Sequence, residues 1–254
     1  MITIKSYASG SDGNFYIVQN ENTNIILECG GNRSNVISNI WKENLKMSDI
    51  NACITSHSHG DHSSNIKHFA DYDIKIYCTK ETQDKYLANI HPALKRNIHI
   101  LEDNKIIRIN TIQVLPLKVN HGDTECYGFI IHDKDEDVLF ITDFFLMTQN
   151  LHKFKFTKIY IETNYTQQAM TYVLTADQKD EKIIKYKRQI KVHCSLENAI
   201  RYLESFDLSN CHKIICIHLS KELANGETIK KTIEKRFAIP TYYLNYKGDE
   251  LWVK

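Results

Sequence analysis

Four times in this 254-residue chain a short apolar run of strand character leads into histidine or aspartate. Ala52–Thr55 runs into SHSHGDH (56–62), LPLKV precedes His121, VLFIT precedes Asp143, and KIICI precedes His218. A loop that follows a buried strand is a rigid platform for side chains. A fold that uses these residues together therefore needs its strand ends in one place. The first of the four is the densest. Of twelve histidines, three fall within six residues, and Asp61 stands among them. His57 and His59, two apart, point the same way from an extended segment. Asp61 and His62 follow a glycine turn and can face the same space. Imidazole nitrogen and carboxylate oxygen are ligands that zinc, manganese and iron accept. Crowding four of them has no packing rationale.

Elsewhere the pattern alternates between strand and helix signals. Thr3–Tyr7, Phe15–Val18 and Asn24–Leu27 read as strands. Asn35–Glu43 has helical spacing, with Ser34 as its N-cap, and Ser63–Phe69 reads as a helix capped by Ser63 or Ser64. Ile74–Cys78 is a strand and Lys80–Asn89 a helix. Strands follow at 98–101, 105–109, 111–116, 128–132, 138–142 and 159–162. Helices are expected at Ala176–Gln189, Leu196–Ser205 and Glu227–Phe237, and a closing hairpin at 241–246 and 250–253. With no repeat and no low-complexity stretch, one domain over residues 1–254 fits, its sheets inside and its helices outside.

Bulk composition excludes several classes. Lys and Arg total 32 against 31 Asp and Glu, a net charge of +1, so no global field commits the chain to nucleic acid or membrane. No apolar run approaches the roughly 20 residues of a membrane span, and the start lacks a signal-peptide pattern. The seven cysteines form no CxxC pair, which points to a reduced cytoplasmic compartment.

The segment HSHGDH resembles the HxHxDH motif of the metallo-β-lactamase superfamily, and His121, Asp143 and His218 follow in the order of that family's later motifs. The resemblance covers nearly the whole chain. It implies an αββα four-layer sandwich, with α+β or α/β character, and a site for two divalent ions at one edge, zinc or manganese. On that resemblance His57, His59 and His121 hold one ion, Asp61, His62 and His218 the other, and Asp143 bridges. Finer features are similar to the bacterial WalJ-type exonuclease-like branch. SYASGSDGN matches its opening, ETNY (162–165) its ESNH segment, VHCSLENA its GHLSN segment, and IHLSKE its HLSRDN segment. The chain departs from that branch at Glu28 (aspartate in the family), Tyr165 (histidine) and Cys194 (leucine).

The expected chemistry is hydrolysis of a phosphodiester, in nucleic acid or a nucleotide, by a hydroxide shared between the two ions. Asp61 is also a candidate general base should one ion be bound. His193 is a candidate proton donor or phosphate contact, and Ser195 and Lys191 candidate substrate contacts. Lys182, Lys185, Lys187, Arg188 and Lys191 form a basic run that could steer a phosphate-bearing substrate. Three other readings stand beside this one: hydrolysis of small cyclic nucleotides, hydrolysis of a lactone or thioester, and a non-catalytic metal-binding module. The oligomeric state, a homodimer included, is left open.

Overall fold

A computed structural model describes residues 1–176 and 180–244. The first half of the chain makes one sheet. Strands β1 (Thr3–Ala8), β2 (Phe15–Asn20), β3 (Thr23–Cys29), β4 (Ala52–Ile54), β5 (Lys75–Cys78) and β6 (Ile98–Ile100) lie side by side in chain order. Helices α1 (Arg33–Lys42), α2 (Gly60–Ser63), α3 (Ile66–Asp71) and α4 (Lys80–Tyr86) fall between its later strands. The second half makes the other sheet. Its strands are β7 (Ile107–Ile109), β8 (Ile112–His121), β9 (Thr124–Asp133), β10 (Glu136–Ile141), β11 (Lys158–Glu162), β12 (Lys213–Ile217) and β13 (Thr241–Tyr243), ordered 13-12-11-10-9-8-7. Helices α5 (Gln167–Thr175), α6 (Asp180–Val192), α7 (Leu196–Ser205) and α8 (Gly226–Phe237) belong to this half. In each sheet antiparallel pairing gives way to parallel pairing, at β3–β4 and at β10–β11.

Side-chain alternation explains the layering. On β10, Val138 and Phe140 join Tyr16, Val18, Leu27, Phe129, Tyr160 and Ile215 in a core between the sheets. Leu139 and Ile141 point the other way, into a core with Leu196, Leu203, Ile229 and Ile233 of α7 and α8. A third core sets Ile17, Ile26, Cys53 and Ile76 against Val36, Ile40 and Phe69 of α1 and α3. Three apolar seams separated by two sheets make four layers, α-β-β-α, and the expected sandwich is the observed one. Both faces of the central strands are buried, so they read as continuous apolar runs.

Several local readings change in three dimensions. The segment expected as one helix at 63–69 is two, α2 and α3, and α2 begins inside the histidine cluster at Gly60. Neither has a side-chain cap, so Ser63 and Ser64 do not act as expected. Ser63 Oγ instead donates to His57 O at 2.6 Å, which ties down the loop. Helix α1 is capped by Asn32, whose side chain accepts from Ser34 N. The two strands expected at 111–116 and in LPLKV are one, β8, which Pro116 does not interrupt. Its neighbour β7 pairs with β8 at residues 112–114 and stops short of Pro116, so no residue of β7 asks Pro116 for an N–H. The helix expected at 176–189 is α6, and α5 before it was not anticipated. The closing hairpin is described only as far as β13 and Leu244; residues 245–254 lie outside the described residues.

Candidate metal centre

All four ligand-bearing positions are strand ends, and the fold brings them to one edge. His57 and His59 lie in the loop after β4, Asp61 and His62 on α2, and His121 ends β8. Asp143 and His218 follow β10 and β12, each with left-handed φ, +50° and +54°. Such φ values are uncommon for non-glycine residues and cluster at functional sites, held by the surrounding packing. They turn the chain sharply, so the side chain projects off the sheet edge.

The candidate ligand atoms converge in three groups that share Asp143, the third being Asp143, Glu162, His193 and His218. In the first, His57 Nε2 and His121 Nε2 lie 2.9 and 3.2 Å from His59 Nδ1, and 3.5 and 3.9 Å from Asp143 Oδ2. In the second, His62 Nε2 is 2.9 Å from Asp143 Oδ2 and 3.4 Å from Asp61 Oδ2, while His218 Nε2 is 3.7 Å from Asp61 Oδ2. Within each group the ligand atoms lie within 4.8 Å of one another. Three neutral imidazoles gain little by pointing ring nitrogens at each other, but three lone pairs aimed at one point suit a cation. His218 Nε2 is buried and makes no hydrogen bond, which likewise fits a cation rather than a protein partner.

Charge balance agrees. Glu28, Asp143 and Glu162 are fully or almost fully buried around these histidines. Among the described residues they form ion pairs with histidines and with no lysine or arginine. Burial disfavours charge on His62, yet the carboxylates of Asp143, Asp61 and Glu28 outweigh it and raise its pKa well above the ordinary imidazole range. His218 is raised in the same way, against burial, chiefly by Asp143. His57, His59 and His121 lie lower than usual, mainly through burial. Burial would raise the Asp143 carboxyl, but His218 and His62 hold it far below the usual range. The first group thus offers neutral imidazoles, and the second demands positive charge, from protons or from an ion.

Behind the ligands lies a layer of fixed partners. Ser56 Oγ meets His57 Nδ1 at 2.9 Å, and Val192 O meets His121 Nδ1 at 2.7 Å. Glu28 accepts from Ser56 N at 3.2 and 3.3 Å and lies 3.3 Å from His62 Nδ1. Ser9 Oγ accepts from His218 N at 2.9 Å and from the buried Tyr16 hydroxyl at 2.8 Å, linking the site to the core between the sheets. Glu162 gathers the most partners. Its Oε2 accepts from Phe144 N and Cys194 N, both at 3.0 Å, and its Oε1 meets His193 Nδ1 at 2.7 Å and His218 Nδ1 at 3.0 Å. Glu162 was not among the expected site residues. It ends β11 as an apolar strand followed by a carboxylate, so the pattern that found Asp143 would have found it. Asn164 was also missed; its Nδ2 donates to His218 O at 2.8 Å.

The centre opens into a cleft of about 970 Å³. His59, Asp61, His121, Asp143, His193 and His218 lie on its floor, and α6 supplies one wall through Lys185, Arg188, Gln189 and Lys191. The cleft thus brings together His193 and Lys191 with the expected ligands. Ser195, expected to touch substrate, does not line it. It is buried, and its Oγ accepts from Asn198 N as the N-cap of α7. Of the basic run, Lys182 and Lys187 lie off the cleft wall.

A family model described as the beta-lactamase superfamily domain matches residues 23–218. Exodeoxyribonuclease WalJ of Streptococcus pneumoniae (serotype 2, strain D39) is 24% identical over 142 residues, 54% of this chain and 52% of that protein. Exodeoxyribonuclease YycJ of Bacillus anthracis is 24% identical over 140 residues, with the same coverage. The chain thus spans about half the length of the curated relatives it matches. Among solved structures, the metallo-beta-lactamase fold protein YhfI from Bacillus subtilis superposes with a TM-score of 0.71 at 14% identity, over 98% of both chains.

Proposed function

The chain belongs to the beta-lactamase superfamily, and from that premise we propose that it is a two-metal phosphodiesterase acting on nucleic acid. At the coarser level it is a hydrolase of the metallo-β-lactamase fold related to bacterial exodeoxyribonucleases. One observation carries the finer reading: the candidate ligand groups around His57, His59 and His121 and around Asp61, His62 and His218 share a single carboxylate, Asp143. His57, His59 and His121 would hold one ion, Asp61, His62 and His218 the other, with Asp143 common to both. Divalent ions held there, zinc or manganese, would polarise a phosphate and acidify water at neutral pH.

The chain's own residues define the rest. Bonding between His193 Nδ1 and Glu162 Oε1 fixes the ring and leaves Nε2 as the nitrogen available to a substrate in the cleft. That bond supports a role for His193 in giving a proton to a leaving oxygen or holding a phosphate oxygen. Burial would raise the Asp61 carboxyl, but His62 and His218 hold it well below the usual range, so it stays ionised at neutral pH, as a ligand requires. The relatives' names, exodeoxyribonucleases, favour nucleic acid over a lactone or thioester.

The test is a substrate panel with zinc and with manganese, covering bis(p-nitrophenyl) phosphate, cyclic nucleotides, labelled single and double strands and a lactone. Elemental analysis accompanies it. Two metal equivalents with turnover of the diester and of a polynucleotide are expected. Turnover of the lactone alone would overturn the reading. Asp61→Ala is expected to lose one metal equivalent and the activity together, and full retention of both would remove Asp61 from the site.

A further inference from the structure

Not every cation on α6 is free to act on a substrate. Lys185 Nζ lies 3.2 Å from Glu222 Oε1, and the other oxygen of Glu222 accepts from the Tyr186 hydroxyl at 2.8 Å, so Lys185 is neutralised in place. Lys182 and Lys187 do not line the cleft. That leaves Arg188 and Lys191. Both are exposed, both line the cleft, and neither has an ion-pair partner among the described residues. The helix is fixed at its two sides. Tyr186 and Ile190 pack against Tyr165, Met170 and Val173, and Val192 O holds the Nδ1 of His121. The wall carrying Arg188 is therefore registered to the ligand cluster.

The register sets a distance. Arg188 lies one turn before Val192, about 6 Å along the axis at 1.5 Å per residue. Ile184 lies a further turn away, lines the same cleft and is 67% exposed. A basic pair followed by a bare apolar side chain, leading away from the ligand cluster, suits neither a lone mononucleotide nor a lactone. It suits a chain with a second phosphate and then a sugar or base. Successive phosphates of a stacked strand are about 3.4 Å apart along its axis. Arg188 therefore stands farther along the cleft wall than Lys191, where a neighbouring phosphate of a strand can lie.

We propose that Arg188 and Lys191 form a phosphate subsite separate from the metal centre, which makes a polynucleotide strand the substrate rather than a single nucleotide. This rests on the phosphodiesterase reading of the same cleft. Arg188 can grip a phosphate oxygen pair through its planar fork, while Lys191 acts as a point charge. Ile184 then meets the next sugar or base.

Two readouts separate this proposal from the reading beneath it. The first is binding. Fluorescence anisotropy of a labelled single-stranded oligodeoxynucleotide is titrated with the full chain across a salt series, for wild type, Arg188→Ala, Lys191→Ala and the double variant. Each lost cation is expected to weaken binding and to lower the slope of log affinity against log salt by about 0.7. The second is a KM and kcat comparison between that oligonucleotide and bis(p-nitrophenyl) phosphate. Loss in KM for the oligonucleotide should exceed any loss for the small diester. Arg188→Lys should restore part of the salt slope. Unchanged affinity and slope in the double variant would overturn the subsite even if the small diester is turned over. Salt-dependent binding that the variants weaken, with no turnover of any diester, would keep the subsite and sink the phosphodiesterase reading.

Discussion

Glu28 has φ +61° and no exposed surface, yet it sets a carboxyl side chain directly behind the site. A buried carboxylate in a sparsely populated backbone region is costly on both counts, and it persists because its partners over-determine it. It takes the main-chain N–H of Ser56, just before the first ligand, and stands against the far nitrogen of His62. It stands where the resembled family usually has aspartate. Glu28→Gln replaces one acceptor oxygen with a donor that cannot face Ser56 N. Metal affinity measured by chelator competition is expected to fall about 10–100-fold, the usual cost of removing such a supporting partner. Unchanged affinity would show that His62 needs no support from this side. The residue was legible as a departure from a motif; its partners were not, because the nearer of them, Ser56, lies 28 positions away in the chain.

Elements position the ligands by close approach. A Cβ on Gly30 would lie 1.7 Å from Asp61 O and 2.7 Å from His62 N, so the turn after β3 can touch α2 only with glycine there. Gly30→Ala should push α2 outward, and elemental analysis of the purified variant should show the Asp61–His62–His218 position empty. A fully loaded variant would mean that α2 can shift without cost. Helix α7 gives the contrasting case. Ser195→Ala removes an N-cap, worth about 1 kcal/mol, and should lower Tm by about 2–4 °C for a chain of this size without raising KM for the diester. A raised KM at unchanged Tm would return Ser195 to the substrate side. The helix α7 and the strands flanking the ligands were legible from periodicity. The split of residues 60–71 into α2 and α3 was not, since two short uncapped helices leave no local signal and are held by what they pack against.

Across the whole molecule, the ions expected at this site link the two halves of the chain. His57, His59, Asp61 and His62 come from the first sheet's loops, and His121, Asp143 and His218 from the second sheet's strand ends. An ion that binds only the folded chain stabilises it by mass action, about 2.7 kcal/mol at 100 times its dissociation constant. Chelation should therefore lower Tm by about 5–10 °C, and readdition of zinc or manganese should restore it. A Tm indifferent to chelator would argue that the clustered histidines hold nothing. No helix among the described residues is long and apolar enough to cross a membrane. The sequence by itself determined the candidate ligands and that they cluster just after apolar strands, because ligand type and strand character are local properties written in adjacent residues. Only the tertiary structure decided that two sheets, paired in different orders, bring those ends within hydrogen-bond distance of one another. It also decided that Glu162 joins them, that Ser195 turns inward, and that two of the five cations in the basic run reach the cleft with no ion-pair partner among the described residues. The reason is physical: pairing order, left-handed turns at Glu28, Asp143 and His218, and the packing of α6 are set by contacts between residues far apart in the chain.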